Sequence, residues 1–128
     1  MAEGSVDATV AAAPDEVWKK LGDFGGIADF FPGIESFRLE GDGEERVIGM
    51  FGMEIRERLL SRDDDTRTIS YSVVDGVPID SHTATISVEP DGEGSKVTWS
   101  YNVTPDEMAP IFGDTYKAAL AAIESQFS

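Results

Sequence analysis

Three side chains in this sequence of 128 residues are of types that could together orient a ligand or transfer protons: Glu57, Tyr71 and His82. Each lies in a stretch where apolar residues recur at every second position, and each falls on the same side of the strand as those apolar residues. A carboxylate, a phenol and an imidazole on one wall can hydrogen-bond a carbonyl or hydroxyl group. Burial moves the pKa of a carboxylate or an imidazole toward values that suit general acid–base catalysis. The three residues therefore predict a polar row on an otherwise apolar wall.

The predicted hairpins place these residues on neighbouring strands. A turn centred on Asp64 pairs Glu57 with Tyr71, and the next turn pairs Tyr71 with His82. The last hairpin continues the register through three pairs: His82 with Val103, Ala84 with Tyr101 and Ile86 with Trp99. A slip of one residue would turn the apolar set toward water, so the facing of the side chains is constrained.

A purely structural interpretation of the same residues stays open. Glu57 can pair with Arg46, which lies on the preceding predicted strand. Tyr71 can be a core residue with a satisfied hydroxyl, and His82 can lie near the open end of the sheet and bond to water. Under this interpretation the polar row has no chemical role.

Periodicity predicts the elements that position these residues. Alternation predicts a first strand at residues 4–12, and a helix then opens at Pro14, with a second short helical segment at residues 27–31. Six further strands are marked by Phe37/Leu39, Val47 or Ile48, Ile55/Leu59, Ile69/Tyr71/Val73, Ala84/Ile86/Val88 and Val97/Trp99/Tyr101/Val103. A long helix over about residues 106–127 follows, with its apolar stripe at Met108, Ile111, Phe112, Thr115, Ala119, Leu120, Ile123 and Phe127.

This order predicts a single α+β domain over residues 1–128, with a seven-stranded antiparallel sheet and one apolar face. Since such a sheet is wider than one helix, its curvature leaves a gap between sheet and helix where a ligand can bind. We expect the ligand to contact Glu57, Tyr71, Val73, His82, Ala84, Trp99, Tyr101, Met108, Phe112 and Thr115.

Several motifs resemble the START-like helix-grip superfamily. They are VxAAPxEVW at residues 10–18, LxDF at 21–24, FPGI at 31–34, ERL at 57–59 and DD at 63–64, together with Tyr71, Gly76 and Pro78. The nearest branch is the bacterial polyketide cyclase/dehydrase-like (SRPBCC) proteins, and the plant abscisic acid receptors are similar to it. The resemblance covers essentially the whole chain.

The resemblance implies a helix-grip fold, in which a curved sheet wraps around the C-terminal helix and two short helices separate the first two strands. It implies either binding of a small hydrophobic molecule (a lipid, polyketide or terpenoid) or cyclase/dehydratase chemistry with Glu57, Tyr71 and His82 as acid–base candidates. Glu57 falls on a cavity glutamate of the receptors, whereas His82 replaces a cavity tyrosine. The mostly apolar wall favours binding, and a domain that meets a partner through its acidic surface stays a third possibility.

Composition excludes other classes. The 25 acidic and 10 basic residues give a net charge of −15, which repels nucleic acids and anionic lipid surfaces. There is no cysteine and one histidine, so we expect no metal site, and no phosphate-loop pattern suggests a cofactor. No apolar run is long enough for membrane insertion and no leader segment is evident, so we expect a cytoplasmic monomer or homodimer.

The net charge also predicts a salt dependence. Because like charges repel across the acidic surface, we expect the Tm to rise between very low ionic strength and about 0.15 M salt. NaCl and KCl should give the same rise in thermal melts, since screening does not depend on ion identity. A Tm that stays flat or falls over this range would contradict the prediction.

Overall fold

The alternating segments form seven antiparallel strands in the computed structural model, which describes residues 2–127. The strands are β1 (Ala2–Val10), β2 (Ser36–Glu40), β3 (Glu45–Met50), β4 (Met53–Asp63), β5 (Thr68–Asp75), β6 (Ser81–Asp91) and β7 (Gly94–Thr104). The helices are α1 (Pro14–Leu21) and α2 (Ala109–Gln126), and 3₁₀ turns lie at Phe24–Asp29, Gly41–Gly43 and Asp106–Met108.

The strands form one sheet in the order β1-β7-β6-β5-β4-β3-β2, so the first strand closes against the last. This is the helix-grip arrangement, and the predicted fold class is confirmed. Two boundaries differ from the prediction. The first strand covers residues 2–10 rather than 4–12, and the second helical segment is a 3₁₀ turn at Phe24–Asp29 rather than at residues 27–31.

The predicted register is correct for one hairpin and wrong for two. In β6–β7, His82 pairs with Val103, Ala84 with Tyr101 and Ile86 with Trp99, as expected. Glu57, however, pairs with Val73, and Tyr71 pairs with Leu59 and Ala84. The β4–β5 pairing contains register shifts, and the connections after β4 and β5 are longer than the tight turns assumed. At these pairs the displacement is two residues, so Glu57, Tyr71 and His82 keep their predicted face.

Helix α2 lies over one side of the sheet. It packs mainly against β1 and β7, and its residues Tyr116, Ala119, Leu120 and Ile123 are buried there. Toward its N-terminus the helix extends beyond this contact, where Phe112 and Thr115 are half-buried and Ile111 is exposed. The strands β3, β4 and β5 are therefore left without direct cover by the helix.

The loop between β5 and β6 folds back onto β4 and depends on a glycine. Gly76 has a φ of +94°, and a Cβ on it would lie 1.9 Å from the carbonyl oxygen of Glu54. Other residues would be strained in this conformation and would clash with the backbone. The close approach places Val77 and Pro78 beside the uncovered strands.

Within residues 2–127, neither helix combines the length and the apolar character that a bilayer crossing requires.

Trp99 provides a test of the core. It is fully buried, stacks on Tyr116 at 4.4 Å between ring centroids and meets Phe31 edge-on at 6.0 Å. We expect Trp99→Ala to lower the free energy of unfolding by about 3–5 kcal/mol in denaturant titrations. The control Leu60→Ala, at a half-exposed position, should change it by less than about 0.5 kcal/mol. A loss below about 1 kcal/mol for Trp99→Ala would contradict the packing described.

Candidate ligand-binding site

A cavity of about 480 Å³ lies between the N-terminal half of α2 and the uncovered strands β3, β4 and β5. The 3₁₀ turn at Phe24–Asp29 and the β5–β6 loop close its sides. Its lining consists of Ile27, Phe31, Ile48, Met50, Phe51, Met53, Ile55, Glu57, Val73, Val77, Pro78, Met108, Ile111, Phe112, Thr115 and Tyr116. Nearly all of these side chains are apolar, and the size is that of a site for a small molecule.

The charged residue of this lining, Glu57, forms a buried ion pair. Its Oε1 accepts a hydrogen bond of 2.7 Å from Nε of Arg46, the residue directly opposite on β3. Arg46 also donates through Nη1 to the carbonyl oxygen of Phe24 at 2.9 Å. Its guanidinium lies over the Phe24 ring at 4.1 Å and over the Tyr71 ring at 4.8 Å. The predicted pairing of Glu57 with Arg46 is thus confirmed.

His82 is held in one tautomer by its neighbours. Its Nδ1 accepts a hydrogen bond of 3.0 Å from the backbone N–H of Val73, so this nitrogen carries no proton. In the neutral imidazole the proton is then on Nε2, which donates to the Tyr116 hydroxyl at 2.8 Å. Burial lowers the pKa of His82 to about 4, so the neutral form prevails near pH 7. His82 therefore bonds to protein groups rather than to water, which corrects the structural interpretation.

The two remaining polar groups are phenols. The indole N–H of Trp99 donates to the Tyr71 hydroxyl at 3.1 Å, and the Trp99 ring stacks on Tyr116. Burial raises the pKa of both tyrosines, and the negative charge of Glu57 raises it further. Both hydroxyls consequently stay protonated near pH 7.

The predicted site residues separate into two groups. Five line the cavity: Glu57, Val73, Met108, Phe112 and Thr115. Five are buried in or beside the wall but do not contribute to the lining as described: Tyr71, His82, Ala84, Trp99 and Tyr101. The predicted row of Glu57, Tyr71 and His82 is displaced by two residues, so Val73 rather than Tyr71 lies opposite Glu57, while the rings of Tyr71 and His82 stay 5.9 Å apart.

The predicted ligand contacts did not include eleven of the lining residues, which are Ile27, Phe31, Ile48, Met50, Phe51, Met53, Ile55, Val77, Pro78, Ile111 and Tyr116. Tyr116 lies four residues after Phe112, so helical spacing alone could have placed it on the cavity face. Ile27, Phe31 and Ile48 come from segments distant in the chain, and no local pattern connects them with the site.

The mouth of the cavity carries two exposed apolar side chains, Phe51 and Ile111. Phe51 and Gly52 form a two-residue turn between the paired residues Met50 and Met53, and both have positive φ values of 55° and 71°. This conformation favours asparagine or glycine, so a phenylalanine is strained there. Over residues 2–127, histidine and acidic side chains do not gather in the groups of three that hold a metal.

Comparison with known proteins agrees with this geometry. Residues 1–127 match the family described as "Polyketide cyclase / dehydrase and lipid transport". The chain belongs to this family. Among curated proteins, no sequence match was found.

Solved structures of proteins from distant organisms have the same fold. The chain is similar to the protein XoxI from Bacillus cereus, with 30% identity, a TM-score of 0.93 and coverage of 99% of this chain and 96% of that one. It shares its fold with a START superfamily protein from Mycobacterium smegmatis (16% identity, TM-score 0.79, coverage 98% and 96%). It also shares its fold with ginseng major latex-like protein 151 from Panax ginseng (18% identity, TM-score 0.81, coverage 98% of this chain and 97% of that one).

The His82 environment in this family member predicts a pH dependence. The folded-state pKa of about 4 lies below the ordinary value of 6.5, so the unfolded chain binds a proton first as the pH falls. The stability contributed by neutral His82 is complete above about pH 6.5 and is lost as the pH falls toward about 4.

We expect His82→Asn, whose Oδ1 can accept from Val73 without titrating, to weaken the pH dependence of the unfolding free energy over this interval. Denaturant titrations at several pH values measure it, and the carboxylates contribute equally to both proteins. Parallel pH profiles for the wild type and the variant would show that His82 is not the titrating group.

Proposed function

We propose that this protein binds a small hydrophobic molecule in the cavity between α2 and the strands β3 to β5. The observation that carries the proposal is the cavity itself, about 480 Å³ of apolar space with one ion pair at its inner wall. A folded core normally fills such space, because unfilled apolar volume forfeits packing and costs stability. A lipid, polyketide or terpenoid-like ligand would replace the missing contacts.

The state of the polar groups favours binding over catalysis. Arg46 is occupied by Glu57 and Phe24, Thr115 donates to the carbonyl oxygen of Ile111, and His82 is bonded through both ring nitrogens. None of these groups is poised as an uncommitted base beside the cavity. The family description includes lipid transport, which supports a carrier or sensor role.

A polyketide cyclase/dehydratase-type reaction is the second candidate, and one contact favours it. Tyr116 lines the cavity and its hydroxyl is held by Nε2 of His82 at 2.8 Å, so the phenol could donate a hydrogen bond to a substrate carbonyl oxygen and polarise that carbonyl. Native mass spectrometry distinguishes the candidates. An enzyme would convert a bound polyketide chain to a product that has lost water, whereas a carrier would release it unchanged.

The compartment and the partner class are further parts of the proposal, and the negative charge supports the partner class. We infer a cytoplasmic protein that binds neither nucleic acid nor anionic membranes, since a net charge of −15 repels both. A monomer or a homodimer is compatible with a cavity built from one chain.

Filling the cavity tests the proposed function. We expect Thr115→Trp, on the cavity face of α2, to weaken binding of the neutral dye Nile red by about tenfold or more, because the indole occupies the ligand's volume. The matched control Ala118→Trp places the same side chain on the exposed face of the helix and should leave the Kd unchanged.

Circular dichroism verifies that both variants fold, and Thr115→Phe replaces Thr115→Trp if the indole disrupts the helix. Equal dye affinity in the wild type and in a folded cavity-filling variant would overturn the proposal.

A further inference from the structure

The inner end of the cavity offers a negative group but no available positive group. Glu57 is charged, whereas the lining within residues 2–127 includes no lysine, arginine or histidine. Arg46 lies behind Glu57, is 3% exposed and is enclosed between the rings of Phe24 and Tyr71. A carboxylate on a ligand would therefore add a negative charge that no free cation compensates, beside a carboxylate whose own cation is already paired with it. Like charges in a buried site are strongly unfavourable.

An ammonium group is disfavoured for a related reason. Glu57 is already neutralised by Arg46 at 2.7 Å, so an ammonium would add an uncompensated positive charge to a mostly apolar pocket. Burying an unpaired charge costs more than burying a hydrogen-bonded neutral group. The electrostatics of the inner end thus favour an uncharged polar group.

The hydrogen bonds of the two phenols determine what that group must provide. Tyr116 accepts from Nε2 of His82, and Tyr71 accepts from Nε1 of Trp99, so each hydroxyl must still donate its own proton. A hydrogen bond between the two phenols can use only one of these two protons. The other must go to an acceptor outside the pair; when Tyr71 donates to Tyr116, the remaining proton is that of Tyr116, the phenol that lines the cavity. A ligand oxygen there can accept it.

Glu57 supplies the complementary acceptor. Its Oε1 is held by Arg46, and the described residues give Oε2 no hydrogen bond, so this oxygen can receive a proton from a ligand. A group that fits must accept from a phenol and donate to a carboxylate while carrying no charge. An alcohol or a phenol has these properties.

We propose that the cavity selects an apolar molecule ending in an uncharged hydroxyl group over molecules of the same size ending in a carboxylate or an amine. The hydroxyl oxygen accepts from Tyr116 and the hydroxyl proton is donated to Oε2 of Glu57. This inference rests on the proposed function, because it identifies the polar end of the ligand held in that same cavity.

A matched series with one alkyl chain tests the selection. Decan-1-ol, its methyl ether, decanoate and decylamine each compete with Nile red at about pH 7.5, where the acid and the amine are ionised. We expect decan-1-ol to displace the dye at a concentration about tenfold or more below that needed for decanoate or decylamine. The ether, which accepts but cannot donate, should lie several-fold above the alcohol.

Two variants locate the selectivity. Tyr116→Phe keeps the ring that stacks on Trp99 and removes the hydroxyl, so the alcohol should lose several-fold in affinity. Glu57→Gln frees Arg46 and should bring decanoate to the affinity of the alcohol or beyond it. Thr98→Val removes a hydroxyl on the outer face of β7 and should leave the order unchanged. If Glu57→Gln does not fold, the wild-type series together with Tyr116→Phe decides the question.

The outcomes separate the two proposals. Equal displacement by decan-1-ol and decanoate, or tighter binding of decanoate or decylamine, would overturn the hydroxyl selection while leaving the proposed function in place. Unchanged alcohol affinity in Tyr116→Phe would likewise overturn it. Absence of dye binding, together with absence of a bound competitor in native mass spectrometry, would overturn both.

Discussion

The buried pair of Arg46 and Glu57 is the interaction on which the arrangement of the site depends. Removing two charges from water is expensive, and the cost is recovered only when the geometry is good and the other polar atoms are satisfied. The structure meets this condition through a 2.7 Å contact, the Phe24 carbonyl and two aromatic rings over the guanidinium. These contacts tie the 3₁₀ turn to β3 and β4, and they hold one carboxylate at the inner end of an apolar cavity.

A second constraint lies where β5 and β6 separate. Their backbone pairing extends as far as Tyr71 and Ala84, and beyond it the N–H of Val73 bonds to the His82 imidazole rather than to a strand carbonyl. This bond satisfies the buried N–H of Val73 at the point where the strands diverge, because a buried backbone donor needs a partner. It also fixes the tautomer of His82 and so directs a proton toward Tyr116. One irregularity in the sheet thus shapes the wall and orders its hydrogen bonds.

Local pattern could predict much of this fold and a smaller part of its site. Alternation placed Trp99, Ala84 and Val103 correctly because a short β6–β7 turn leaves the register little freedom. It mispaired Glu57 and Tyr71, since register shifts within β4–β5 and longer loops displace the strands by two residues without changing the faces. Ile27 and Ile48 could not be assigned to the site, because only the three-dimensional packing of distant segments brings them beside α2.

The hydrogen bonds and the ion pair that satisfy the buried polar groups also limit which ligands the cavity can recognise. A fold that serves both lipid transport and cyclase/dehydrase chemistry can differ between members in which side chains at the inner end remain available. Here Arg46 and His82 bond to groups of the protein, so neither is available to a ligand. The charges of Arg46 and Glu57 are buried as a pair. The cavity then presents one acceptor, Glu57, and one phenol, Tyr116. Under the proposed binding function, affinity comes chiefly from apolar contact, while the two remaining hydrogen-bonding positions define orientation. Such a division assigns binding strength to the whole wall and selectivity to Glu57 and Tyr116.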